Sequence, residues 1–158
     1  MDLIDYIYDE CHRQHVTNYG DFARAWSFAR GLSQMHDPEN FGLFVEFIAM
    51  YVQPSDNEMW NIQKGNLRTS HVGFLHGGSA APVNEVRPRF DRWCQVTFDQ
   101  IQWMSEIGSV DVGTVDVLIN QLLDIHPWVD ANGRTASILR NWMLNRLDDP
   151  EPLPYYDF

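Results

Sequence analysis

Apolar residues recur at three- and four-residue steps through most of this chain, and that spacing is typical of α-helices with one buried face. The clearest stretches lie within residues 3–11, 22–29, 41–51, 90–104, 115–122 and 138–143. Gly31, Pro54 and Gly108 follow three of these stretches, and both residue types commonly end helices. The spacing therefore predicts a mainly α-helical protein, with three helices before residue 54 and three after residue 82.

The stretch from residue 55 to 81 differs in composition, because it is rich in glycine, asparagine and serine. Within it, residues 71–75 alternate in polarity and Gly77-Gly78 follows, which predicts a short β-hairpin. Pro88 is predicted to mark the start of the fourth helix, because proline is tolerated in a first turn. The fifth and sixth helices are predicted over about 112–125 and 132–147. The proline-rich acidic tail, 148–158, cannot continue the last helix, so we expect one domain over 1–147.

Charge and length limit the functions that this chain can have. With 22 acidic against 11 basic residues, its net charge of −11 repels nucleic-acid phosphates and anionic lipids, so neither is expected as a partner. No apolar run approaches the roughly 20 residues that span a bilayer. Asp2 and Asp5 stand where a secretory signal has basic residues, so we expect a cytoplasmic protein. Cys11 and Cys94 lack metal-ligand spacing and are expected to be reduced and buried.

The residues with the most chemical content lie at 126–134, between two apolar helices. His126 stands at the end of the fifth helix, and an imidazole titrates near neutral pH and can accept a proton from a hydroxyl group. Asp130, four residues later, offers the carboxylate oxygen that Mg²⁺ prefers. Each residue alone is more typical of a helix end. A base and a metal ligand in one loop together indicate a catalytic site.

An anion site is predicted directly after this pair. Asn132, Gly133 and Arg134 open the sixth helix, whose first N–H groups lack partners within the helix and attract anions. Gly133 allows close approach, and Arg134 adds a cation. Trp128 is expected to anchor the loop in the core without touching a substrate. A proton acceptor, a metal ligand and an anion site together suit nucleotide-dependent transfer to a hydroxyl group.

This stretch resembles the signature of the Fic family, HPFx[D/E]GNGRxxR. The matching positions are His126, Pro127, an aromatic residue at Trp128, Asp130, Asn132, Gly133 and Arg134. A second stretch, within residues 65–82, resembles the segment that leads into the hairpin "flap" of that family. The resemblance covers roughly residues 38–147. It implies a Fic-like helical bundle with a short β-hairpin flap beside the active-site loop.

The resemblance also implies a role for each matching residue. His126 corresponds to the general base that activates a Ser, Thr or Tyr hydroxyl of a target protein, and Asp130 to the residue that holds Mg²⁺ on the nucleotide phosphates. Residues 132–134 correspond to the anion-binding nest for ATP. The flap pairs with the target segment by β-augmentation, and that role falls on His71, Val72, Gly73 and Phe74. The implied reaction transfers AMP from ATP to the target and releases pyrophosphate.

Two positions depart from the signature. Ala131 stands where the family commonly has glycine, and Ser137 stands where it has a second arginine. The missing arginine removes a cation from the distal phosphates, unless Arg140, one turn further along the helix, replaces it. The Asp-Ala-Asn pattern at residues 130–132 and the missing arginine also resemble the Doc branch of the superfamily, which transfers the γ-phosphoryl group. Doc, however, typically has lysine in place of Gly133. AMP transfer is the main hypothesis, and Doc-like phosphorylation or transfer of another phosphate-containing group is the alternative.

The sequence also leaves open how the protein is restrained and whether it catalyses a reaction at all. Fic proteins are often restrained by a helix with the pattern [S/T]xxxE[G/N], and no such pattern occurs in this chain, since Glu39-Asn40 has Met35 at the Ser/Thr position. Either a separate antitoxin-like partner supplies the inhibitory glutamate, or no restraint is needed. Ala131 and Ser137 also leave open a Fic-fold protein that binds a partner without catalysis.

Overall fold

The computed structural model describes residues 1–31, 38–53, 66–74 and 80–154, and these residues are mainly helical. The helices, in chain order, are α1 (Leu3–Arg13), α2 (Tyr19–Gly31), α3 (Pro38–Val52), α4 (Val83–Ile107), α5 (Val112–Ile125) and α6 (Asn132–Met143). The predicted fold class is thus confirmed in its helical part. No helix in these ranges is both long and apolar enough to cross a membrane.

Two predicted helix boundaries are wrong. The helix α4 begins at Val83, and Pro88 lies exposed within it. Proline at this point removes one N–H bond near the helix start, where solvent can hydrate the carbonyl that loses its donor. The helix α6 ends at Met143, short of residue 147, because the next residues turn towards α2. Trp26 Nε1 and Arg30 Nη2 each donate a hydrogen bond to the Leu147 carbonyl at 3.1 Å.

The helix α6 is the central element of the core. It packs against α2, α3 and α5, while α4 packs against α3 and α5. Its buried residues are Asn132, Arg134, Thr135, Ala136, Ser137, Ile138, Leu139, Arg140, Asn141 and Met143. Because nearly all of α6 is enclosed, its polar side chains need internal partners. The loop that precedes α6 is therefore held in place by the core.

The chain after α6 packs on the domain. Asn141 Nδ2 donates to the Glu151 carbonyl (3.0 Å), and Asn141 Oδ1 accepts a hydrogen bond from the Glu151 backbone N–H (2.8 Å). Leu153 is buried, and its carbonyl accepts a hydrogen bond from Arg13 Nη1 of α1. Residues 148–154 are non-helical, as predicted. They nevertheless belong to the packed structure instead of forming a separate tail.

The buried face of the helix α1 agrees with its apolar spacing only in part, since Ile7 and Cys11 are buried. Ile4 and Tyr8 are 65% and 53% exposed, whereas Tyr6 and Glu10 are buried. The Tyr6 ring lies 5.1 Å from the ring of Trp26, centroid to centroid, which favours burying this face. Both cysteines, Cys11 and Cys94, are free and buried, as predicted.

The predicted hairpin is not confirmed. Residues 66–74 and 80–82 contain no strand, and one backbone hydrogen bond, from the Ala80 N–H to the Val72 carbonyl (3.2 Å), joins them. Residues 75–79, which include Gly77-Gly78, lie outside the described residues. Among the predicted flap residues, His71 and Gly73 are exposed, and Val72 and Phe74 are half-buried.

Candidate active site

The loop between α5 and α6 contains two residues in the left-handed conformation. His126 follows α5 with a φ of 51°, and Ala131 precedes α6 with a φ of 78°. This conformation strains a non-glycine residue by about 1–2 kcal/mol, so the surrounding contacts must hold both residues. The resulting path brings His126, Asp130 and the first turn of α6 into one short loop.

Ala131 occupies the position where glycine would carry no Cβ strain. Its N–H donates to Asp130 Oδ1 at 2.8 Å, and only 3% of the residue is exposed. The buried methyl group offsets part of the backbone strain. Although alanine stands where the Fic signature has glycine, the residue directly before α6 thus adopts the left-handed conformation.

Asn132 shapes the loop with its side chain. Its Oδ1 accepts a hydrogen bond from the Trp128 backbone N–H (3.1 Å), and its Nδ2 donates to the Trp128 carbonyl (2.8 Å). Trp128 is fully buried, and its ring meets the ring of Phe90 edge-on at 5.7 Å. The predicted anchoring role of Trp128 is confirmed. Both polar atoms of the Asn132 amide are thus engaged by the backbone of Trp128.

Asp130 has one occupied and one available carboxylate oxygen. Oδ1 accepts hydrogen bonds from the Ala131 N–H and from Arg134 Nη2 (2.9 Å). Oδ2 has no hydrogen-bond partner among the described residues, and 43% of the side chain is exposed. An oriented carboxylate with a free oxygen is the arrangement that a metal ligand requires. The predicted role of Asp130 as a metal ligand stays a prediction.

Arg134 points inward. Only 2% of its side chain is exposed, and Nη1 donates to Asn18 Oδ1 (2.8 Å) and to the Val52 carbonyl (3.2 Å). With Nη2 on Asp130, the guanidinium connects the loop to the ends of two other helices. Its charge is balanced by Asp130, and three N–H groups of the guanidinium are engaged by protein acceptors, so the predicted role of the Arg134 side chain as a phosphate ligand stays a prediction.

His126 lies half-buried beside Phe74, with 5.4 Å between the ring centroids. Its Nδ1 is buried and has no hydrogen-bond partner among the described residues. Burial lowers the pKa of the imidazole to about 4; the Arg68 cation acts in the same direction, and the Asp130 carboxylate opposes them. At neutral pH the imidazole is therefore uncharged and able to accept a proton, although as a weak base.

Arg68 belongs to the stretch Gly65-Asn66-Leu67-Arg68, which resembles the segment leading into the flap, but the sequence analysis gave it no role. Its side chain is buried and donates from Nε to the His126 carbonyl (2.6 Å), while its Nη atoms reach the carbonyls of Ser70, Ala81 and Ile125. Its backbone N–H donates to the Pro127 carbonyl (2.8 Å). One guanidinium thus joins the end of α5 to both non-helical segments, 66–74 and 80–82. No periodicity or charge pattern around residue 68 signals this role.

The first turn of α6 exposes backbone donors to the loop. The N–H groups of Asn132, Gly133 and Arg134 have no hydrogen-bond partner among the described residues, and no side chain caps the helix. The Thr135 N–H is the first to be bonded, to the Ala131 carbonyl (3.0 Å). Unpaired N–H groups at the positive end of a helix favour an anion. The predicted nest therefore consists of backbone donors.

Ser137 and Arg140 supply no cation to this nest. Ser137 Oγ is buried, 3.0 Å from the Gly133 carbonyl and 3.1 Å from Glu10 Oε2, and it accepts a hydrogen bond from Gln14 Nε2. Arg140, which the sequence offered in place of the arginine missing at position 137, binds Asp116 at 2.7 Å and Glu151 at 3.2 Å. These two acidic residues explain why Arg140 cannot compensate for the missing arginine.

The sequence matches no protein-family model, and no curated protein is detectably similar to it. Membership of the Fic family therefore stays a hypothesis that rests on the residues of the loop.

The loop could hold a Mg²⁺ ion only together with ligands that the substrate and water supply. The described part of the chain contains no group of three or more His, Cys, Asp or Glu side chains arranged to hold a metal. Magnesium in phosphate-transfer sites is commonly held by one or two carboxylates together with substrate phosphates and water. Asp130, with one free oxygen, fits this shared mode and could not hold the ion alone.

Proposed function

We propose that this protein is a Fic-type transferase that moves AMP from ATP onto a Ser, Thr or Tyr hydroxyl of a target protein. The observation that carries the proposal is the convergence, in one loop, of an uncharged imidazole, a carboxylate with a free oxygen and a helix start with unpaired N–H groups. These are the groups that nucleotide-dependent transfer to a hydroxyl requires.

The proposed roles follow from the positions of the groups. His126 accepts the proton of the target hydroxyl, whose oxygen forms a bond to the α-phosphorus of ATP as pyrophosphate leaves. The N–H groups of residues 132–134 bind phosphate oxygens. Asp130 would be the protein ligand of Mg²⁺, which would supply positive charge to the phosphates. The Arg134 side chain orients the Asp130 carboxylate through Nη2. Phosphate charge near His126 would raise its low pKa and make the base stronger once ATP is bound.

The position of Ser137 favours weak binding of the distal phosphates. A serine that is bonded to Glu10 and to the Gly133 carbonyl offers no charge-assisted contact to a β- or γ-phosphate. We therefore expect a high KM for ATP. The same feature supports the alternative of Doc-like transfer of the γ-phosphoryl group, in which the nucleotide lies reversed in the nest.

Transfer of differently labelled nucleotides tests the proposal. The purified protein is incubated with Mg²⁺ and ATP labelled at either the α- or the γ-phosphate, with and without an array of Ser-, Thr- and Tyr-containing peptides. Label from the α-position on the protein or a peptide supports AMP transfer. Label from the γ-position alone supports phosphorylation and overturns the main proposal.

A histidine variant and its control complete the test. His126→Ala is expected to abolish transfer, whereas His12→Ala, which removes an exposed histidine of α1, should leave it unchanged. If His126→Ala retains full transfer, the assigned base is wrong. Absence of label from every position contradicts both enzymatic hypotheses and favours a Fic-fold binding protein.

A further inference from the structure

A cleft of about 450 Å³ lies between α4 and α5, next to the active-site loop. Arg89 and Arg92 of α4 line one side, and Gln121 and Asp124 of α5 line the other. Its size falls within the range typical of ligand sites. The cleft includes Asp124 and Ile125, the two residues directly before His126 in the chain.

Arg92 is distinctive among the ten arginines, all of which lie in the described ranges. Within those ranges it makes no hydrogen bond or ion pair, whereas each of the other nine has a protein partner. Arg89 has only an exposed contact with Glu85, at 3.4 Å, and such pairs contribute little. In a chain with twice as many acidic as basic residues, two weakly engaged guanidinium groups in one cleft favour binding of an external anion.

The rest of the lining is apolar. Trp93 is buried and its Nε1 donates to the Leu118 carbonyl (2.7 Å), so only its ring is available to a ligand. Ile125 is buried like Trp93, whereas Val96, which also lines the cleft, is 40% exposed. Exposed apolar area beside charged groups is typical of surfaces that bind protein segments. The ligand must therefore carry an aliphatic group close to its anionic group.

We propose that this cleft binds a segment of the target protein in which an acidic side chain stands beside an aliphatic one. The carboxylate contacts Arg89 and Arg92, and the aliphatic side chain covers Trp93 and Val96. A polyphosphate fits less well, because Asp124 on the opposite side and the net charge of −11 repel multiple negative charges. The inference rests on the proposed function, since it assigns the surface that brings the target to His126.

Binding of short peptides, followed by backbone amide chemical shifts, tests this inference without nucleotide. One peptide carries a single glutamate beside a leucine in a glycine-serine background with blocked ends, and its counterpart has glutamine in place of glutamate. The glutamate peptide should shift amides within residues 89–96 and 121–125 and bind roughly three- to tenfold more tightly, as expected for partly exposed charge pairs. Equal affinities, or shifts confined to other surfaces, would overturn the proposal.

Variants on α4 provide a matched comparison. Arg92→Gln should remove the preference for the glutamate peptide. Arg87→Gln removes an equal charge from the same helix, outside the cleft and paired with Glu46 and Asp91, and should retain the preference. Loss of the preference in both variants would indicate a general charge effect and contradict the proposal.

The outcome is separable from that of the proposed function. Peptide binding needs neither ATP nor a proton acceptor, so His126→Ala should bind the glutamate peptide as the unmodified chain does. If label transfer succeeds while the peptide preference is absent, the cleft inference alone fails. If the preference is present and transfer fails, the cleft belongs to a binding protein and its assignment to an enzyme's target is overturned.

Discussion

Replacing Arg68 tests whether one buried guanidinium holds the active-site loop. The Arg68→Met variant keeps most of the side-chain volume but removes the donors to the carbonyls of Ser70, Ala81, Ile125 and His126. Each hydrogen bond from a charged donor contributes about 1.5–3 kcal/mol. These contributions do not add fully, because the buried guanidinium also carries a desolvation cost. We expect the free energy of unfolding to fall by about 3–5 kcal/mol, because carbonyls that lose a donor cost about 1–3 kcal/mol each when buried and the removed desolvation cost offsets part of that sum.

Urea denaturation of the variant and the unmodified chain measures this loss. A typical domain has a total stability of about 5–15 kcal/mol, so the variant should still fold at low temperature. Arg24→Met is the control, since Arg24 is exposed and, among the described residues, pairs with Asp21 alone; it should change stability by less than about 0.5 kcal/mol. A loss below about 1 kcal/mol in Arg68→Met would refute the assigned role.

The same variant has a second, electrostatic readout. Burial and the Arg68 cation both lower the pKa of His126 to about 4. Removing the cation should raise this pKa, while burial should keep it below the ordinary value. An NMR titration of the imidazole protons measures the change directly. An unchanged pKa in the folded variant would show that the cation does not act on His126, and a lower one would reverse the expected sign.

The loop itself gives three further predictions, each measurable by urea denaturation. Because the folded pKa of His126 is about 4, below its ordinary value, the free energy of unfolding should fall as pH decreases from about 6.5 to 4. The loss should reach about 2 kcal/mol after allowance for partial exposure, and His126→Gln should lack it. Asn132→Ala removes both bonds to Trp128 and should cost about 2 kcal/mol; no loss would show that the amide does not shape the loop. Ala131→Gly should change stability by less than about 0.5 kcal/mol, because relief of strain offsets the lost methyl group and the added chain entropy. The same substitution at Ala25, buried within α2, should be clearly destabilising.

Local patterns were sufficient to predict the helices around the site. The apolar spacing predicted α5 over its observed range, and the start of α6 at Asn132 followed from the residue types that open helices. Burial of Trp128 was also predictable, because a large aromatic ring between two apolar helices has few other stable positions. These properties depend on neighbours within a few positions along the chain, and such neighbours are visible in the sequence.

The direction of individual side chains was not predictable in this way. Arg134 resembles a phosphate ligand by its place in the motif, but its guanidinium is bonded to Asn18 and Val52, which lie far away in the sequence. Arg68 binds carbonyls from three separate segments, and backbone carbonyls carry no sequence signal. The start of α4 was placed too late because a proline, which is favoured in the first turn of a helix, can also lie exposed in the next turn.

The distribution of charge in the site decides how a phosphate could bind there. Arg134 is neutralised by Asp130, Arg140 by Asp116 and Glu151, and Arg68 is enclosed by carbonyls. Within residues 126–140, the positive groups left for a ligand are therefore mainly the N–H groups at the start of α6. Backbone donors alone balance only a fraction of the charge of a triphosphate, since a helix start carries about half an elementary charge. In the proposed reaction the remaining charge must be balanced by the Mg²⁺ that Asp130 would hold, so nucleotide binding should depend on the metal more strongly than it would with a second arginine at position 137.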